Sequence, residues 1–160
     1  MKKNFPYIII AILLLIICVM VFGFVMNSIE KNNKNKGIVY EPYTSGNIVQ
    51  AGSNLPGIAI PGWTAIKLPA DTFDADVSLH NPNSNLGYYN LKFVLKLFET
   101  DEEIFSTGLI EPGYQCSKVR LNFKLEKGVY DAILFVQPYL QDDALTPVNN
   151  VEMDILLIVE

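Results

Sequence analysis

The chain has 160 residues, half of them hydrophobic, with 12 Lys and Arg against 17 Asp and Glu and a net charge of −5. That length holds one domain and rarely two, and the acidic balance excludes a nucleic-acid binder, which needs clustered cations to neutralise phosphate. Two cysteines and one histidine exclude a disulfide framework and a Cys/His metal motif.

Tyr7 to Met26 is a run of 20 residues without a charged side chain, flanked by Lys2 and Lys3 before it and Lys31, Lys34 and Lys36 after it. A helix of about 20 apolar residues spans the hydrocarbon core of a bilayer. A cleaved signal peptide has a shorter apolar region, about 7–15 residues, and ends at a small-x-small site. Here only Gly23 is small near the end of the run, and Cys18 follows Leu15-Ile16-Ile17, where a lipidation site needs a small residue. The run therefore predicts an uncleaved single-pass transmembrane helix over 7–26, with 1–6 in the cytoplasm. The flanking lysines nearly balance and do not orient it by themselves. A short basic start before an apolar core has the form of an export signal, which places the rest of the chain outside the cytoplasm, at the cell membrane.

Residues 27–61 read as a tether or linker. Asn27 to Lys36 is rich in Asn and Lys with no apolar period. Gly37 to Pro61 carries Pro42, Gly46, Gly52, Pro56, Gly57 and Pro61, too closely spaced for a long element. From Asn27 onward there are 10 basic against 17 acidic residues, a net charge of −7.

From residue 62 to 160 the period changes to two. Thr64–Leu68 alternates, with Ile66 and Leu68 on one face. Asp76–His80 alternates and stops at the turn signal Asn81-Pro82-Asn83. Tyr89–Leu97 places Tyr89, Leu91, Phe93, Leu95 and Leu97 on one face and Lys92 and Lys96 on the other. After a turn over Thr100–Glu103, a short strand over 104–110 ends at Pro112-Gly113. Lys118–Lys124 alternates with Val119, Leu121 and Phe123 inward. Tyr130–Val136 follows the Lys127-Gly128 turn, Tyr139–Asn150 reads as a long loop, and Asp154–Val159 closes the chain as a buried strand. Phe93, Leu95, Leu121, Phe123, Tyr130 and Leu134 are the expected core. About seven short strands with regular turns and no amphipathic helix predict an all-β antiparallel sandwich.

The segment Leu125-x-x-Gly128-x-Tyr130-x-Ala132 resembles the tyrosine corner of immunoglobulin-like domains, which implies a hydroxyl bond from Tyr130 to backbone near Leu125–Lys127. Ala132 stands where an antibody domain has its second cysteine, and Trp63 comes too early to be the core tryptophan. More broadly, Ile60-Pro61-Gly62-Trp63, Asn81-Pro82, Ser106–Gly113, Leu125-Glu126-Lys127-Gly128-x-Tyr130, Gln137-Pro138-Tyr139 and Pro147–Asn150 resemble small single-pass, membrane-anchored surface proteins of Gram-positive bacteria, of unknown function, sometimes encoded among conjugative or mobile elements. The resemblance covers about Ile60 to Glu160. It implies location and an immunoglobulin-like C-terminal domain, and carries over no catalytic residue.

Candidate chemistry is thin. Asp71, Asp74 and Asp76 offer three carboxylates in six residues, as a Ca²⁺ site does, but the glycine and distal Glu of a calcium loop are missing and a solvated strand entry explains them equally. Cys116 with His80 makes a conceivable dyad, without a nucleophile elbow or a third group. Glu102-Glu103 sits in a turn, where charge is solvated. Trp63, Tyr88, Tyr89, Tyr114 and Tyr139 suit a sugar-stacking platform, against the alternatives of an inward Tyr89 and a Trp63 that plugs the end of the core. The Tyr139–Asn150 loop is either a recognition loop or a plain crossover. The expectation is a non-enzymatic interaction or surface-architecture head with no catalytic residue, cofactor or metal. Trp63, Tyr88, Tyr139 and Asp142 are its possible ligand contacts, and its partner is a protein or cell-wall component. A carbohydrate- or wall-binding module is the alternative.

Overall fold

The computed structural model of the protein describes residues 15–23, 37–43, 57–142 and 146–160. The chain divides into two compact units, Met1–Lys36 and Gly37–Glu160.

In the first unit the described residues form a helix over 15–23. Nine residues at 1.5 Å each extend about 14 Å, against roughly 30 Å of hydrocarbon in a bilayer. Among the described residues no helix is long and apolar enough to cross a membrane, so the expected span over 7–26 stands without support from the described helix. Its remaining parts, 7–14 and 24–26, lie outside the described residues.

The second unit is built from β-strands in two sheets. Its strands are β1 (Val39–Pro42), β2 (Ala65–Leu68), β3 (Asp74–His80), β4 (Tyr89–Leu97), β5 (Glu103–Ser106), β6 (Tyr114–Arg120), β7 (Gly128–Leu140) and β8 (Val151–Val159), with one 3₁₀ turn at Asn83–Asn85. One sheet has the order β1-β6-β3 and the other β2-β8-β7-β4-β5. All the pairs are antiparallel except β2 with β8, which is parallel. The inward residues of both sheets meet in one core, where Phe93, Phe105, Leu79, Leu91, Leu95, Leu134 and Leu157 are completely or almost completely buried. This is the two-layer solution that strands apolar on one face require.

β4 keeps its expected alternation at the centre, where Leu91, Phe93 and Leu95 are buried and Lys92, Val94 and Lys96 half-buried on the other face, but not at its ends: Tyr89 and Leu97, expected inward, are only half-buried, and Asn90 is buried. Of the expected core, Phe93, Leu95, Leu121 and Leu134 are buried, whereas Phe123 and Tyr130 are partly buried against it. Phe123 lies past the end of β6, which stops at Arg120, so the ladder that would hold it inward is absent at that point. An eighth strand, β1, arises within the segment expected as tether. It pairs with β6 through Tyr40 and Cys116, Glu41 and Gln115, and Pro42 and Tyr114. The compact unit accordingly begins at Gly37 rather than at residue 62. An edge strand needs only one neighbour, and Pro42 is tolerated there because the outer side of an edge demands no N–H donor.

Tyr130 stands at the start of β7, and its hydroxyl donates to the Glu126 carbonyl at 2.9 Å. This bond straps the Leu125–Lys127 turn to the strand it feeds. Tyr130→Phe keeps the ring and removes the bond, so equilibrium unfolding should show a loss of about 1 kcal/mol. An unchanged midpoint would mean water replaces the carbonyl without cost.

Candidate functional site

The residues singled out by sequence separate into three places. Trp63 enters ahead of β2 and lies at the junction of the sheets. Its indole packs edge-on to Phe93, with ring centroids 5.3 Å apart, and its Nε1 donates to the Ser78 carbonyl at 3.2 Å. That is the core-plug arrangement, with the polar edge satisfied by backbone. His80, at the end of β3, stacks on Tyr43 at 4.0 Å and meets Trp63 at 5.7 Å. Its Nδ1 is buried without a hydrogen-bond partner.

Burial lowers the His80 pKa below its usual 6.5. The unfolded chain therefore binds this proton more readily than the folded one, and the stability tied to neutral His80 is present above about pH 6.5 and lost as pH falls below it. Unfolding midpoints measured from pH 8 down to pH 5 should decline, and His80→Phe should flatten that decline. The same slope in both proteins would assign it to other groups.

Cys116 on β6 is fully buried. Its Sγ donates to the Lys118 carbonyl at 3.1 Å, and burial pushes the thiol up to about 11. A thiol so held is inert as a nucleophile at neutral pH. No hydrogen bond among the described residues joins it to His80.

Tyr88, Tyr139 and Asp142 lie along the chain at the Tyr89–Leu140 end of the β4–β7 pair. Tyr88 is 47% exposed and lies 6.3 Å from Tyr89 between ring centroids. Its carbonyl accepts from the Gln141 amide, one residue before Asp142. Tyr139 pairs with Asn90 across the sheet and bridges back to Pro147. The long loop thus folds back on its own strand: Leu140 donates to Thr146, and Val148 donates to Pro138. Trp63 is not part of this group, so the four possible ligand contacts do not form one platform. Tyr114 lies elsewhere again, in a cleft of about 310 Å³ with Tyr40, Leu109 and Glu111.

The acidic run is taken up by cations across the sheet. Asp74 faces Arg120 at 3.5 Å and Asp76 faces Lys118 at 3.3 Å, all near the surface. Asp71 sits in a turn with a φ of 56°. No group of three metal-ligating side chains is assembled among the described residues.

A feature the sequence reading took only as a turn is the asparagine pair after β3. Asn81 and Asn85 are both fully buried. Asn81 Nδ2 donates to the carbonyls of Tyr89 and Ile110, at 3.0 and 2.8 Å. Asn85 Nδ2 donates to Asn81 Oδ1 and to the Ala59 carbonyl, and Asn85 Oδ1 accepts from the Ala59 amide at 2.9 Å. Side-chain amides here do the work of backbone, tying the Ala59 segment, the β3–β4 turn and Ile110 together. Only the Asn-Pro-Asn spacing signalled it, and that spacing equally signals a simple turn.

Comparison of the chain with protein-family models, with curated proteins and with solved structures gave no match.

Proposed function

We propose that the protein is a non-enzymatic, membrane-tethered interaction head: an immunoglobulin-like sandwich held outside the cytoplasm by its N-terminal run and anchored there in the manner of single-pass surface proteins. The observation that carries the immunoglobulin-like reading is the strand order β2-β8-β7-β4-β5 with β2 parallel to β8, opposite a sheet in which β3 pairs with β6. That arrangement, with Tyr130 strapped at the start of the penultimate strand, is the pattern of a sandwich with B–E pairing in one sheet and G–F–C in the other. β1 takes the place beside β6 that a D strand would occupy. The membrane reading is supported by the 20 uncharged residues of Tyr7–Met26.

The interaction reading is supported by where chemistry is withheld: the one thiol in the sandwich is buried and protonated, and the one imidazole is stacked on Tyr43 with Trp63 edge-on to it. Crosslinking in intact membranes of cells making the full chain, followed by mass spectrometry, tests this. Recovery of crosslinked protein supports it. Retention of the purified full chain on a glycan or peptidoglycan array, abolished by Tyr88→Ala, would replace it with the carbohydrate-binding alternative.

A further inference from the structure

Tyr114 and Cys116 share one face of β6 by the two-residue period, and Tyr40 on β1 pairs opposite Cys116. Cys116 is buried, so both tyrosines are turned to the inner side of the sheet, yet each remains 42% exposed. Two large rings left half in water at the rim of a core are walls rather than filling. With Leu109 and Glu111 they line the cleft of about 310 Å³. The walls are set by backbone. The Tyr40 hydroxyl accepts from the Gly108 amide at 2.7 Å, and a Cβ at position 108 would lie 2.6 Å from that hydroxyl, so glycine is what leaves the tyrosine its seat. Glu111-Pro112-Gly113-Tyr114 is a tight turn closed by the Tyr114 amide on the Glu111 carbonyl at 3.1 Å, with Gly113 at a φ of 81°. Proline then glycine at the two central positions is the type II pattern. The carboxylate and the Tyr114 ring therefore come from the two ends of one rigid turn.

The charge at the cleft is uncompensated. Asp74, Asp76, Asp101 and Glu160 each have a cation within 3.5 Å, whereas Glu111 has no ion pair among the described residues. Lys92, next to the Leu91 that bridges Ile110, is turned to the outer face of the five-stranded sheet and does not pair with it. Backbone bonds tie Tyr43 to Gly113, Asn81 to Tyr114 and Gln141 to Tyr88, which gathers the segments 41–43, 81–90, 106–115, 139–142 and 146–150 at this end of the strands. None of these segments contains a lysine or arginine, and Glu41, Glu111 and Asp142 are their charges. Burial keeps His80, beside Tyr43, neutral at pH 7. An anion would be repelled from such a cleft. A neutral ligand would strip water from Glu111 and return nothing for its charge. A planar guanidinium meets both demands, since it stacks on aromatic faces and donates two parallel N–H groups to a carboxylate.

We propose that the cleft between Tyr40 and Tyr114 receives an arginine side chain presented on the surface of a protein partner, with Glu111 as its counter-ion. This rests on the reading of the sandwich as an interaction head and gives that head its anchor point. Arginine is among the residues that carry interface energy when seated in a pocket. The net charge of −7 from Asn27 onward steers a basic partner toward the same surface. The Tyr40 hydroxyl oxygen, which already accepts from Gly108, has a second lone pair for the guanidinium.

The test uses the full chain, isotope-labelled on nitrogen and purified in mild detergent, titrated with Nα-acetyl-arginine methylamide and followed by magnetic resonance. The amides of Gly108 and Tyr114 should shift and saturate. Nα-acetyl-citrulline methylamide, which keeps the shape and lacks the charge, should bind about tenfold more weakly or worse, and so should the arginine probe in Glu111→Gln and in Tyr114→Ala. Tyr88→Ala should bind as the unaltered chain does. Circular dichroism melting checks that each variant is folded. No saturable shift, an equal response to citrulline, unchanged binding in Glu111→Gln, or tighter saturation of the same amides by N-acetylglucosamine would each overturn the proposal. Should a variant not fold, the arginine and citrulline probes on the unaltered chain decide by themselves. A photo-crosslinking residue placed at Leu109 in cells making the full chain separates this site from the broader reading. Crosslinks recovered from other positions and never from Leu109 would overturn the cleft and leave the interaction head standing. No crosslink from any position would remove the interaction head and its partner together.

Discussion

Phe93→Ala should lower the free energy of unfolding by about 3–5 kcal/mol, the range for a large aromatic truncated at a fully buried site. Phe93 has no exposed surface and lies at the centre of β4, in contact with the Trp63 ring that closes the sandwich. Removing it deletes transfer energy and leaves a cavity that two rigid sheets cannot collapse to fill. Domains of this size have roughly 5–15 kcal/mol in total, so the variant forfeits a large share of its stability. Phe123→Ala is the internal comparison. Phe123 only leans on the core beyond the end of β6, and its truncation should cost less than half as much. Urea titrations of the two variants check this, and equal losses would show that Phe123 is as deeply packed as Phe93.

The second large effect is expected at Asn81. Asn81→Ala removes two donors from the carbonyls of Tyr89 and Ile110 and the acceptor that holds Asn85. Ile110 keeps a backbone partner, since Leu91 also donates to its carbonyl at 3.1 Å, so the loss is concentrated at Tyr89 and Asn85. Each buried polar group left without a partner costs about 1–3 kcal/mol, which for two groups gives a total of about 2–6 kcal/mol. Asn85→Ala should cost a similar amount and, because the pair acts as one network, the double variant should cost less than the sum of the two. A strictly additive double variant would mean that the two asparagines act independently.

How much was legible follows from what each residue's environment demands. β4 was read at its observed boundaries because its inward residues are large and its outward lysines break the run cleanly. β7 and β8 were found from their apolar runs, but as Tyr130–Val136 and Asp154–Val159, shorter than the observed Gly128–Leu140 and Val151–Val159, because their ends are less apolar. The Tyr130 bond was legible through the resemblance of Leu125-x-x-Gly128-x-Tyr130 to a tyrosine corner, which implies it. β1 was not. Its four residues are all exposed, and an edge strand paired through backbone leaves almost no side-chain signature. Tyr40 holds it down by accepting from the Gly108 amide at 2.7 Å, a contact across 68 residues that no local pattern announces. The asparagine clamp was seen only as punctuation, because burial of an amide is a tertiary property.

The proposed display outside the cytoplasm is tested most directly by protease added to intact cells that make the full chain with a tag at each end. The account predicts that the C-terminal tag and the sandwich are lost while the N-terminal tag stays cell-associated and protected. Protection of both tags until the cells are broken, or release of the sandwich into the medium with a new N-terminus near Asn27, would contradict it.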